Sequence, residues 1–362
     1  MLSPEAPVVL LLHGGSDNLS GKTGLAMLRF RQGPIVAVID PAHAGEDLQA
    51  LTGIDRPVPV VADMAAALAY GPAVAVVGLA PSGGRLPAEM RADVLTGLRA
   101  GLSLASGLHS HLAEDPEFAA VPLAPGQWIW DLRREPPGLE VATARAAALP
   151  CRRVLAVGSD MAVGTMSACL ALQAAARGRG LDARFVGTGQ AGILISGQGV
   201  ALDAVRVDYA AGAVEAAVLQ VAAGAGPETL LLVEGQGSLA HPGSTATLPL
   251  IRGSQPTDLL LVHRAGQSQV RTRPGAAAVA VPPLPELIAA NEAVAALARP
   301  DGLRPRVRAI ALNTALLEPE AAQRQVEQLE QRLGLPCVDP VRHGPERLLA
   351  ALQIGLPAAA AP

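Results

Sequence analysis

The chain has 362 residues, half of them apolar and 17% charged, with a formal net charge of −4 and 2% aromatic residues. The apolar content excludes a disordered chain, and the length exceeds what one small core can use. With no basic block and few aromatic rings, phosphate tracking and base stacking are unsupported, so nucleic acid is excluded as a partner; no uncharged run reaches the roughly twenty residues that cross a bilayer, so no membrane association is expected.

The N-terminus lacks a basic region, so residues 8–12 read as a first strand rather than as a signal peptide. Short apolar runs then alternate with Ala/Leu-rich segments of helical spacing, the pattern of parallel sheets covered by helices on both faces. Strands are predicted at 8–12, 34–39, 58–61, 73–78 and 102–106, with helices starting near Lys22, Ala44, Asp63 and Pro87. A polar, Pro-rich stretch over 116–137, holding Trp128 and Trp130, reads as a connection. A second set of strands is predicted at 154–157, 184–187, 230–233, 259–262 and 307–312, with helices from about Gly164, Asp208, Pro283 and Pro319. This gives two α/β domains, 1–149 and 150–355, and a disordered Ala/Pro-rich tail over 356–362. Cys151, Cys169 and Cys337 are odd in number and widely spaced. They suit a reducing cytoplasm better than a disulfide framework. The apolar fraction favours a homo-oligomer.

The motifs carry more. Residues 154–167 read as a buried strand, a glycine-bounded loop and a helix start, the layout of a phosphate-binding P-loop. Gly158 and Gly164 are six apart, one more than in the common Walker A spacing, and Thr165 stands where the lysine belongs. Backbone N–H groups at such a turn form an anion site without a side-chain charge. Gly158, Ser159, Asp160, Val163, Gly164, Thr165 and Ser167 are the candidate contacts; a glycine-rich turn without a ligand has the same signature. Glu234 ends the next strongly apolar strand and enters a Gly-Gln-Gly turn with Gln236 and Gly237. This is the place of a Walker B carboxylate, or of a strand-end acid in a tight turn. Between them, residues 186–197 are dense in small residues around Gly189 and Gln190, with Asp203 and Asp208 following, Asp208 as a cap for the helix carrying Glu215. The chain has one lysine, Lys22, against twenty-seven arginines. Lys22 closes a second P-loop-like segment, Gly15 to Thr23, where a flexible ammonium has a role or genome drift spared it. His109, His241 and His263 each follow an apolar strand and are candidate general bases or structural histidines; His241, close to Glu234, ranks first. No spacing supports a zinc site.

The loop Gly-Ser-Asp-x-x-Val-Gly, the run Gly-Thr-Gly-Gln-Ala-Gly-Ile-Leu-Ile and the acid-tipped Val-Glu-Gly-Gln-Gly-Ser-Leu-x-His-Pro resemble motifs of the D-glutamate N-acetyltransferase family. So do Gly-Lys-Thr-Gly-Leu followed by Ile-Val-Ala-Val-Ile-Asp, Gly83-Gly84, Ser106-Gly107-Leu108-His109 and Asn313-Thr314. The resemblance runs from about Val8 to Leu352. It implies a Rossmann-like N-terminal domain, a P-loop NTPase-like C-terminal domain similar to dethiobiotin synthetase, and acetyl transfer from acetyl-CoA to the amine of D-glutamate. Thr165 departs from it, because family members usually carry lysine there. Joined to the residues, it implies that the 158–165 loop holds the phosphates of acetyl-CoA, a small-molecule co-substrate. His241 or Glu234 would then deprotonate the substrate ammonium, with Lys22 as a further catalytic candidate. Arg252, Arg264 and His109 are the candidates for the substrate itself. The alternatives are an ATP-dependent ligase or kinase-like enzyme using Mg-ATP, and a non-catalytic nucleotide- or CoA-binding protein.

Overall fold

Runs of Val, Leu, Ile and Ala only four or five residues long have no polar side to turn to water, so they are stable only inside a sheet covered on both faces. In the computed structural model, which describes residues 2–81, 83–272 and 275–352, these runs are strands whose residues are almost all buried. The first part of the chain contains β1 (Val8–Leu11), α1 (Lys22–Phe30), β2 (Ile35–Ile39), α2 (Leu48–Thr52), β3 (Val60–Val61), α3 (Met64–Ala67), β4 (Val74–Val77), α4 (Arg91–Arg99), β5 (Ser103–Ser106), α5 (Pro116–Ala119) and β6 (Ile129–Asp131). There follow β7 (Arg152–Gly158), α6 (Thr165–Gly178), β8 (Ala183–Val186), α7 (Gln190–Ser196), α8 (Ala210–Val221), β9 (Leu230–Val233), α9 (Thr247–Ser254), β10 (Asp258–Arg264), α10 (Leu284–Ala296), β11 (Arg306–Asn313), α11 (Pro319–Leu333), β12 (Cys337–Val338) and α12 (Glu346–Ala351).

The strands form two wholly parallel six-stranded sheets. The first has the order β3-β2-β1-β4-β5-β6, the doubly wound order of Rossmann folds. The second has the order β12-β11-β10-β7-β9-β8, with β7 paired to β10 and β9. In both sheets the order reverses beside the first strand, and ligands of such folds bind at the carboxyl ends of the strands there. Among the described residues no helix is long and apolar enough to cross a membrane.

The chain divides into two compact units at Glu135, upstream of the expected boundary at residue 149. Residues 136–149 belong to the second unit because Thr143 and Arg145 donate backbone N–H groups to the fully buried carboxylate of Glu215 on α8. The segment Gln190–Ala204, expected in the second domain, belongs to the first unit. There Arg31 is buried and donates to the carbonyls of Ser3, Pro4, Ala6 and Leu194. Six elements were not anticipated: α5 and β6 inside the Pro-rich stretch, α7, α9, β12 and α12. Asp208 caps nothing, since α8 starts after Tyr209 without a side-chain cap. The tail expected at 356–362 lies outside the described residues.

Candidate active site

β7 leads into the loop at the carboxyl edge of the second sheet. It must end in glycine, because a Cβ at 158 would lie 2.6 Å from the Asp160 carbonyl oxygen and 2.9 Å from that of Gly237. The loop turns through Ala162 and Gly164, both at positive φ (54° and 114°). Gly164 is the N-cap of α6 and offers no side chain. The first-turn amides of Thr165, Met166 and Ser167 therefore carry no side-chain cap, at the positive end of a fourteen-residue helix.

The loop's own side chains turn away from that opening, against expectation. Ser159 is fully buried; its N–H donates to the Val262 carbonyl and its hydroxyl shares a 2.8 Å hydrogen bond with His263 Nδ1. It has nothing left for a phosphate. Asp160 is buried and braces the backbone, accepting from the N–H of Met161 (2.7 Å) and of Arg271 (2.8 Å) and from the Gln267 amide (2.5 Å). Val163 packs inside, and its carbonyl accepts from the Asn313 amide at 2.9 Å. Thr165 donates its hydroxyl to the Gly235 carbonyl at 2.7 Å, tying the start of α6 to the turn after β9. Ser167 is half-buried in the first turn of α6.

Glu234 lies in that turn. It is buried, and Oε2 accepts the N–H groups of Thr188 (2.8 Å) and Gly189 (3.1 Å), while Oε1 faces the Gln236 amide at 3.4 Å. Burial pushes its carboxyl up to about 7, against the pull of the two backbone N–H groups. Gly189 has no room for a side chain here: a Cβ would come within 2.5 Å of the Gln236 amide nitrogen. Gly237 sits at φ 67° against Ser244. The structure thus groups Gly158, Gly164, Thr165, Gly189, Glu234, Gln236 and Gly237 at one edge of the second unit.

Other expectations fail on geometry. Both nitrogens of His241 are in use: Nδ1 accepts the N–H of Gly243 at 3.0 Å and Nε2 donates to the Arg271 carbonyl at 2.6 Å. A ring so held cannot take up a substrate proton, so His241 is a brace and not the base. His263 is neutral, since burial and then the charge of Arg332 push its imidazole down to about 4. Arg252 is exposed in the last turn of α9, next to Gln255, whose carbonyl accepts from Arg153 at the start of β7. That is the amino edge of the sheet, away from the loop, and it removes Arg252 from any ligand held there. Arg264 ends β10 and donates Nη2 to the Ala162 carbonyl at 2.7 Å. Lys22, His109 and Gln190 belong to the first unit. Lys22 is the exposed first residue of α1, and His109 is exposed with its ring against Gly84. The amide of Gln190 is spent, donating to Thr23 Oγ1 at 2.9 Å and accepting from Arg133 at 2.8 Å; Asp203 pairs with the same arginine. In that unit Asp40 directly follows β2, where Rossmann folds place a ribose-binding acid. Here it accepts from the N–H of Gly14, the N–H of Ser16 and the Ser16 hydroxyl, all within its own first loop. The partners missed from the sequence are Thr188, Gln267, Arg271 and Asn313. Thr188, inside the Gly-Thr-Gly-Gln run, and Asn313, in an Asn-Thr pair at the end of β11, gave some signal; Gln267 and Arg271 gave none.

The family of unknown function DUF1611 matches in two parts, its P-loop domain over residues 140–349 and its Rossmann-like N-terminal domain over residues 41–135. The chain belongs to this family. Its relatives include proteins named D-glutamate N-acetyltransferase from Tritonibacter scottomollicae, 35% identical over 96% of this chain and 98% of the relative, and from a Pseudoalteromonas species, 31% identical over 96% and 99%. These make it the D-glutamate N-acetyltransferase family, as the sequence motifs implied. A crystal structure of a DUF1611 family protein from Anabaena variabilis is similar at 51% identity, with a TM-score of 0.87 over 96% of this chain and 99% of that one. The first matched domain ends at residue 135 and the second begins at residue 140, and the contacts also divide the chain after Glu135.

Proposed function

We propose that this chain is an N-acetyltransferase that moves an acetyl group from acetyl-CoA to the amine of D-glutamate or a similar acidic amino acid. The relatives' names support the reaction class. The observation in this chain that carries it is Glu234, a buried carboxyl titrating near 7 beside a phosphate loop that lacks its lysine. A lysine-free cradle suits a ligand whose phosphates are held and not cleaved, since the lysine serves to neutralise charge on a phosphoryl group in transfer. Acetyl-CoA supplies an acetyl thioester and a diphosphate that the transfer leaves intact. The uncapped amides of Thr165, Met166 and Ser167 are the donors that hold it. Glu234 takes one proton from the substrate ammonium, and its carboxyl is poised near working pH for that task. The amine then attacks the thioester carbonyl; the C–N bond forms as the C–S bond breaks, and a further nitrogen proton passes to the departing thiolate. A cytoplasmic setting fits the three free, buried cysteines.

Two measurements test this. Calorimetry with acetyl-CoA, CoA, ATP and ADP should show binding of the first two. A thiol-release assay on D- and L-glutamate, with mass spectrometry of the product, should show N-acetylglutamate. Binding of ATP with none of CoA would sink the proposal.

A further inference from the structure

Two arginines stand at the phosphate loop without an ion-pair partner among the described residues. Arg264 donates to the carbonyl of Ala162, within the loop. Arg271 reaches the same loop from a hairpin-like excursion after β10, pinned by Val270 N–H to the Val279 carbonyl and Val281 N–H to the Ser268 carbonyl. The backbone at Arg271 is fixed on both sides: its N–H donates to Asp160 and its carbonyl accepts from His241. The two guanidiniums feel each other, since burial and then the charge of Arg271 lower the pKa of Arg264. The nearby carboxylate of Asp160 spends its oxygens on N–H and amide donors. The charge of Asp160 offsets only part of this repulsion, and a bound anion at the two guanidiniums relieves more of it.

We propose that Arg264 and Arg271 form a cationic clamp that replaces the missing P-loop lysine and grips the diphosphate of the bound ligand. Two guanidinium forks match two phosphate groups better than one ammonium could, and they neutralise charge without cleaving the ligand. This assigns a role to Asp160, Gln267 and His241, which position the strap that carries Arg271. It also moves Arg264 from the substrate's carboxylates, where its sequence context suggested it, to the phosphates. The clamp rests on the reading of the loop as the acetyl-CoA site.

The test is calorimetry on the full-length protein with three ligands: inorganic pyrophosphate, acetyl-CoA, and S-acetylpantetheine, which lacks the diphosphate. Arg264→Gln and Arg271→Gln should each weaken pyrophosphate and acetyl-CoA binding about tenfold to a hundredfold. S-acetylpantetheine binding should not change. Arg271→Lys should recover part of the loss, and melting curves establish that each variant is folded. Pyrophosphate binding equal to wild type in both folded Gln variants overturns the clamp. If the wild type binds pyrophosphate in an arginine-dependent way but binds no acetyl-CoA, the clamp stands and the acetyl-CoA reading falls. If the wild type and all variants bind acetyl-CoA equally, the clamp falls and the acetyl-CoA reading stands.

Discussion

A carboxyl group that titrates near neutrality reports both its surroundings and its use. Glu234 is ionised only above about 7, so if it is the base, kcat/KM should rise as pH increases through that value. Glu234→Gln should lower kcat by about a hundredfold or more and flatten that limb. An unchanged limb in the variant would place the titration elsewhere. The same shift has a stability consequence. The folded state binds the proton more tightly than the unfolded chain, whose carboxyl titrates near 4.5, so this contribution is complete below 4.5 and lost as pH rises through 7. His263 acts in the opposite sense. Its folded value lies below the unfolded 6.5, so stability is complete above 6.5 and lost as pH falls towards 4. Ser159→Ala should then cost about 1–3 kcal/mol in denaturant unfolding, because it leaves a buried His263 nitrogen without its partner. Acetyl-CoA affinity should stay the same; a loss of affinity at unchanged stability would mean that Ser159 reaches the ligand after all.

At the scale of elements, the join between the β7 loop and the turn after β9 decides the geometry of the site. Gly235→Ala would put a Cβ 2.0 Å from the Ala156 carbonyl oxygen and 3.1 Å from Thr165 Cγ2. Backbone cannot yield cheaply, so the cost should be about 1–3 kcal/mol or more, read as a lower melting temperature. Thr165→Lys releases the tie to Gly235 and puts a cation at the place where a phosphoryl-transferring P-loop carries its lysine. It should raise ATP affinity without producing ATP hydrolysis, and an unaltered affinity would show that the loop no longer accommodates a triphosphate. The strand, loop and helix of this join were legible in the sequence, because apolar runs and glycines mark elements by composition. β6 was not, since Ile129-Trp130-Asp131 is three residues long in a polar stretch, and β12 is only Cys337 and Val338. Inside the loop, residue type failed as a guide. Ser159 and Asp160 are the residue types expected to meet a ligand, yet the pairing of β7 with β10 turns one onto His263 and the other onto the strap. Direction depends on the neighbouring strand, which lies about a hundred residues away in sequence and cannot be seen in the loop itself.

For the whole molecule, the two units are not two consecutive lengths of chain. α7 packs on α1, Ile193, Leu194 and Ile195 are buried, and a Cβ on Gly197 would come within 2.4 Å of the Leu2 carbonyl oxygen. A fragment of residues 1–135 would therefore expose the face that α7 covers and leave Arg31 without the Leu194 carbonyl. Its circular dichroism melt should lack the cooperative transition of the intact protein, and a sharp melt from the fragment would show that residues 190–204 are dispensable to the first unit. The same lacing bears on synthesis. A ribosome delivers the chain from its N-terminus, and domains usually close in that order. Here β7, α6 and β8 emerge before Gln190–Ala204 does, so the unit begun first must wait, open along one face, while two of its neighbour's six strands, the central β7 and the edge strand β8, are already outside the tunnel.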